Sequence, residues 1–134
     1  MLRISRSFLW AIRLAVLGIA VSAALSPSAC LAADIRLVMF ERPLCEWCEA
    51  WDEEVGDAYS KTEEGKFAPL RRIQIHDPPP EDLAHIRWPR FTPTFVMTVD
   101  GEEVGRIRGY PGEDFFWGLL GELIEKAKAH KKGT

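Results

Sequence analysis

The chain has 134 residues, 47% of them hydrophobic and 28% charged, which suits one compact globular domain. Its 20 acidic side chains outnumber its 17 basic ones, for a net charge of −3. An acidic chain with no basic run argues against nucleic acid or an anionic membrane surface as a partner.

The N-terminus differs from the rest. Arg3, Arg6 and Arg13 appear without any acid, the run LAVLGIAVSAAL (14–25) is wholly apolar, and SPSACLAA (26–33) supplies small residues before Asp34. This is the pattern of a secretory signal peptide over residues 1–33, with cleavage after Ala32 or Ala33. The competing readings are a retained anchor and a lipoprotein. The apolar run is shorter than the ~20 residues a membrane-spanning helix needs. Pro27 stands where a lipoprotein signal wants an aliphatic residue before its lipidated cysteine, here Cys30. Removing the leader takes three of the 17 basic side chains and none of the 20 acidic ones, so residues 34–134 carry a net charge of −6. Cleavage also removes Cys30 and leaves one cysteine pair, Cys45 and Cys48, in a mature form that is not membrane-embedded.

In chain order, DIRLVMFER (34–42) predicts a buried strand ended by Pro43. From Cys45 the spacing turns helical. Cys48, Trp51, Val55 and Tyr59 share one face, and the acids from Glu49 to Asp57 fall mostly off it. PLRRIQIHD (69–77) alternates and predicts a second strand, stopped by the prolines at 78–80, which lack the ladder donor. Residues 81–87 predict a short helix. TPTFVMTV (92–99) predicts a third strand, Asp100-Gly101 a tight hairpin turn, and EEVGRIR (102–108) the returning strand. After GYPG (109–112), apolar residues at 116, 119, 120, 123, 124 and 127 predict an amphipathic helix over 113–130, with its lysines late, as the helix dipole prefers. The order β-α-β-(short α)-β-β-α implies an α/β domain, a mixed four-stranded sheet with helices on both faces.

Three chemistries suit the CEWC sequence at Cys45–Cys48. A metal site wants three or four ligands, and His76, His85 and His130 are each isolated from the pair and from one another. A purely structural disulfide over so short a loop removes little chain entropy. The redox reading uses the local geometry: Cys45 falls at a helix N-terminus, where the dipole and free N–H groups favour a thiolate. Cys45 is then expected as the exposed nucleophile, and Cys48, one turn on beside Trp51, as the shielded resolving thiol. No cofactor is required.

Strand RLVMF running into CEWC, Thr92-Pro93-Thr94 opening a strand, the Asp100-Gly101 hairpin and Gly109 before the last helix together resemble the thioredoxin-fold superfamily across nearly all of residues 34–134. The resemblance implies a minimal thioredoxin fold, a cis Thr92–Pro93 bond against the cysteine pair, and a substrate strand pairing with the Thr92 backbone. Within the superfamily the chain is similar to the small periplasmic thioredoxin-like proteins of bacterial sulfur-oxidation (Sox) gene clusters. Two departures stand out. The pair encloses Glu-Trp, and Met39 occupies the strand position, six residues before the first cysteine, where thioredoxin has a buried acid. Removal of the Cys48 proton then falls to Glu41, the nearest acid, or to water.

Other candidates follow from position. Trp47 is a substrate-facing platform or a cover for the pair. Glu46 and Glu49 oppose a Cys45 thiolate, whereas the dipole and Arg42 or Arg90 favour it. Trp88 and Phe91 flank the Pro93 loop, where strand-edge packing competes with a groove. The expectation is a periplasmic thiol:disulfide oxidoreductase working as a reductase, with disulfide-bearing client proteins, a sulfur carrier among them, and a membrane thiol transporter as electron donor. A disulfide oxidase or isomerase, or a copper chaperone using the same two cysteines, is the alternative.

Overall fold

The computed structural model describes residues 32–133; the expected leader lies outside them apart from its last two positions. Four strands form one sheet in the order β2-β1-β3-β4. Strand β1 (Ile35–Glu41) pairs in parallel with β2 (Leu70–Gln74) and antiparallel with β3 (Thr94–Val99), which pairs antiparallel with β4 (Glu102–Arg108). Strands β2 and β3 are shorter than the sequence predicts.

The two central strands are buried on both sides, and their alternation divides the core in two. Leu37 and Met39 of β1 join Phe95 and Met97 of β3 on one face. Val38 and Phe40 join Val96 and Ile73 on the other. Thr94 and Thr98 also lie inside, and each hydroxyl donates to a carbonyl, of Phe91 at 2.8 Å and of Arg36 at 3.5 Å. The hairpin turn puts Asp100 at φ 52° and Gly101 at φ 85°, both in the left-handed region that Asp-Gly tolerates. Its entry is locked to the start of β1: the Asp34 N–H donates to the Asp100 carboxylate, and the Asp100 N–H donates to the Asp34 carbonyl, each at 2.8 Å.

The first face carries the long helices. After β1 come α1 (Glu46–Trp51), a π-helical turn (Asp52–Gly56) and α2 (Asp57–Tyr59). The sequence predicts a plain α-helix here. An α-helix overshoots a full turn every four residues by about 40°, so Trp51, Val55 and Tyr59 would drift around it. The wider π turn lessens that drift, and all three are buried. A helix absent from the sequence prediction, α3 (Glu63–Phe67), follows; the Thr62 hydroxyl caps it by accepting the Gly65 N–H at 3.0 Å. The final helix α4 (Glu113–Gly133) buries Phe116, Leu120, Leu123, Ile124 and Ala127. Leu119 lies at the margin, and Phe115 is exposed. Strand β4 can take α4 close because Gly105 has no side chain; a Cβ there would stand 2.6 Å from Leu123 Cδ2.

The second face has thinner cover. The helix expected over 81–87 is reduced to a 3-10 turn (Glu81–Leu83) in a loop that drops Leu83, Ile86 and Trp88 onto Phe40 and Val96. Pro89 disfavours a helical backbone at Trp88, so a helix here would end by Arg87.

Candidate redox site

The site forms where β1 turns into α1. Leu44 takes φ 58°, an uncommon value for a residue with a side chain, and reverses the chain so that Cys45 is the helix N-cap. Cys45 and Cys48 are joined by a disulfide, with S–S 2.09 Å and Cα–Cα 5.2 Å. The Cys48 N–H donates to Cys45 Sγ at 3.3 Å, and the Glu49 N–H donates to the Cys45 carbonyl at 3.0 Å. The helix start is therefore satisfied by the first cysteine itself.

The expected contrast in exposure is absent from this form. Cys45 is 5% exposed and Cys48 4%. Cys45, expected as the exposed thiol, is as buried as Cys48 in the disulfide-bonded pair. Behind it lie carbon side chains: Met39, Trp51 and Phe95 belong to the same core cluster. Trp51 is the hub, with ring centroids 5.3 Å from Phe95, 5.7 Å from Phe116 and 6.1 Å from Tyr59. Its indole N–H is buried without a protein partner.

In front, the residues flanking the pair face solvent. Leu44 is 94% exposed and Trp47 59%; Glu46 and Glu49 are exposed in the first turn. Thr92 is half-buried and Pro93 buried, and the peptide bond between them is cis. The Pro93 carbonyl accepts the Gly109 N–H at 2.8 Å. A cleft lined by Arg42, Ile75, His76, Arg90, Phe91 and Thr92 brings the loop before β3 to the end of β1, next to the cysteine turn. Phe91, 72% exposed, stands at its edge.

Glu41 is committed elsewhere. One carboxylate oxygen accepts from Arg72 at 2.9 Å and the other from Gln74 at 3.1 Å. Arg72 also pairs with Asp52 and lies 5.7 Å over the Trp51 ring. Arg71 and Arg72 point to different partners, as strand alternation requires, Arg71 to Asp82. Tyr110 donates to Glu54 at 2.5 Å; burial, then that hydrogen bond, pushes its phenol well above the ordinary value. Sequence reasoning missed Leu44, whose left-handed backbone has no sequence signal, and Arg72, whose link to Glu41 depends on the β1–β2 register. Among the described residues no three His, Cys, Asp or Glu side chains gather as a metal site, and no helix is long and apolar enough to cross a membrane.

A close cysteine pair at the start of a helix, after the central strand of a mixed four-stranded sheet, defines a thiol:disulfide oxidoreductase of thioredoxin fold. The solved periplasmic thioredoxin SoxS of Paracoccus pantotrophus, in its reduced form, is 49% identical over 69% of this chain and 98% of its own, with a TM-score of 0.66. A Malassezia sympodialis thioredoxin is 16% identical over 68% of this chain and 78% of its own, with a TM-score of 0.54, and shares the fold. No protein-family model and no curated protein matches. The chain belongs to the thioredoxin family.

Proposed function

We propose that the protein is exported, loses residues 1–33, and acts in the periplasm as a reductase of client disulfides. The observation that carries this reading is the Cys45–Cys48 pair on the first turn of α1, with apolar packing behind and exposed side chains in front. Similarity to a periplasmic thioredoxin supports the compartment.

In the reducing direction Cys45 is the nucleophile. Its thiolate attacks one sulfur of a client disulfide; the client S–S bond breaks and the released client thiolate takes a proton. Cys48, as a thiolate, then attacks Cys45 Sγ and expels the second client sulfur, which is protonated in turn. The client gains two electrons and two protons, and Cys45–Cys48 becomes the disulfide seen here. A membrane thiol donor reverses that last state. Trp47, Thr92 and Pro93 form the client-binding edge, with the Thr92 backbone free to pair with an extended client segment. Glu46 and Arg90 tune the Cys45 thiolate in opposite senses. Because Glu41 is held by Arg72 and Gln74 and Met39 is apolar, water is the better acceptor for the Cys48 proton. The client class that fits best is a sulfur-carrier protein.

Trapping tests the roles. Cys48→Ser should accumulate mixed disulfides with clients, and Cys45→Ser should not. In glutathione buffers the potential should fall below about −200 mV. A value near −120 mV would make the protein an oxidase. N-terminal sequencing from the native host should begin at Ala33 or Asp34.

A further inference from the structure

Eight arginines lie among the described residues, and they divide evenly. Arg36, Arg71, Arg72 and Arg106 each pair with a carboxylate. Arg42, Arg87, Arg90 and Arg108 have no carboxylate partner among the described residues and are all exposed. Those four come together. The cleft beside the cysteine turn holds Arg42 and Arg90; a second cleft holds Arg87, Arg90 and Arg108; the two share Arg90 and Phe91. In a mature chain of net charge −6, every guanidinium without a carboxylate partner among the described residues thus lines a groove made of two clefts that adjoin at Arg90 and Phe91.

We propose that this groove docks an acidic segment of the client protein, one carrying an apolar side chain among its carboxylates; the inference rests on the reductase reading above. The linings of these two clefts contain no acid, which leaves a local excess of positive charge for an incoming anion to neutralise; Arg87 alone also borders a neighbouring cleft, lined by Glu102 and Glu103. Their spread over two joined clefts suits an extended chain rather than one small ion. Exposed Phe91, beside half-buried Trp88, supplies an apolar contact between the charges. Arg106 takes no part, since its guanidinium is held by Glu103 and the Arg87 carbonyl. The groove begins at Arg42 and Thr92, so a segment lying in it leads its own disulfide towards Cys45.

Two synthetic disulfide-bridged peptides test this, one with glutamates around a phenylalanine, its twin with glutamines. The reduced wild type should show a kcat/KM about tenfold higher for the acidic peptide at low ionic strength, shrinking as salt shortens the screening length. Arg87→Gln/Arg108→Gln should bring the two peptides level while leaving turnover of uncharged 2-hydroxyethyl disulfide unchanged. Equal kcat/KM for the peptides in the wild type overturns the groove, as does a preference that survives the double substitution. Binding of a cysteine-free acidic peptide, read by Trp fluorescence, measures the groove apart from the chemistry. If it binds and the double variant loses it, the groove stands even where no disulfide is turned over, and the reductase reading alone falls. Competition by inorganic sulfate as tight as the peptide's would make this a small-anion site. Concentration-dependent dimers of the wild type, lost in the double variant, would make the occupant a second copy. Either result overturns the proposal.

Discussion

The two faces of the sheet are built differently although the same two strands supply both. On one, Trp51, Tyr59, Phe95 and Phe116 interlock where α1, α2 and α4 meet the sheet, in the same cluster as the redox pair. On the other, a loop with a single 3-10 turn lays Leu83, Ile86 and Trp88 over Phe40. The first face fixes the reacting atoms. The second carries the segment from Arg87 to Thr92, which leads to the candidate recognition edge. That segment is held by the Trp88 ring against Phe40, by buried Pro89, and by hydrogen bonds at the Arg87 and Phe91 carbonyls. The redox pair therefore sits on the more heavily packed face, and the candidate recognition edge leads off the more lightly covered one.

Paired tryptophan substitutions are the strongest way to break this comparison. Trp51→Ala should cost about 3–5 kcal/mol, since a fully buried ring leaves a cavity among three aromatics. Trp88→Ala should cost about 2 kcal/mol, from an edge-on contact with Phe40 and one hydrogen bond to the Ile75 carbonyl. Equal losses in urea unfolding would mean that the faces are energetically alike.

Alkali should act on the first face. Burial, then the charge of Glu64, raises the Tyr59 phenol well above its ordinary value. Above about pH 10 the unfolded chain loses this proton while the native state keeps it. The native state then binds more protons, so stability is full below that pH and declines as pH rises. Tyr59→Phe should cost about 1 kcal/mol at neutral pH, for the hydrogen bond to the Ala68 carbonyl, and should flatten part of the alkaline slope. An unchanged slope would mean that Tyr110, also raised, carries the whole effect.

The smallest expected effect lies at the pair itself. Glu46 is exposed, so water and salt screen its charge. Glu46→Gln should stabilise the Cys45 thiolate and move the potential upward by less than about 30 mV. A larger shift would mean that surface charge, rather than the carbon interior behind the disulfide, governs the poise.

Much of this arrangement was legible in the sequence because its causes are local. A mostly apolar run marked β1, alternation marked β2, Asp100-Gly101 marked the hairpin, the 116–127 spacing marked α4, and CEWC after a strand marked the site. What escaped depends on distance or on short elements. Helix α3 has five residues, too few for a period, and its one signal is the Thr62 cap. The π turn leaves no composition trace. The ties on Glu41 come from β2, 31 and 33 residues away. The burial of Cys45 depends on how the Leu44 turn seats the bonded pair on the core, which no local pattern states. Gathering four unpaired arginines required the loop before β3 to meet both β4 and the end of β1.

Near-complete burial of both cysteines also gives the oxidised protein a form of insulation. A thiolate that breaks the bond must approach one sulfur in line with the other, and a freely diffusing small thiol finds almost none of either sulfur on the surface. A protein donor that first seats itself against Leu44 and Trp47 can hold its thiolate in that line while the loop yields. The resting disulfide would thereby discriminate by residence time: brief collisions with a small thiol exchange slowly, and a reductant that docks exchanges faster.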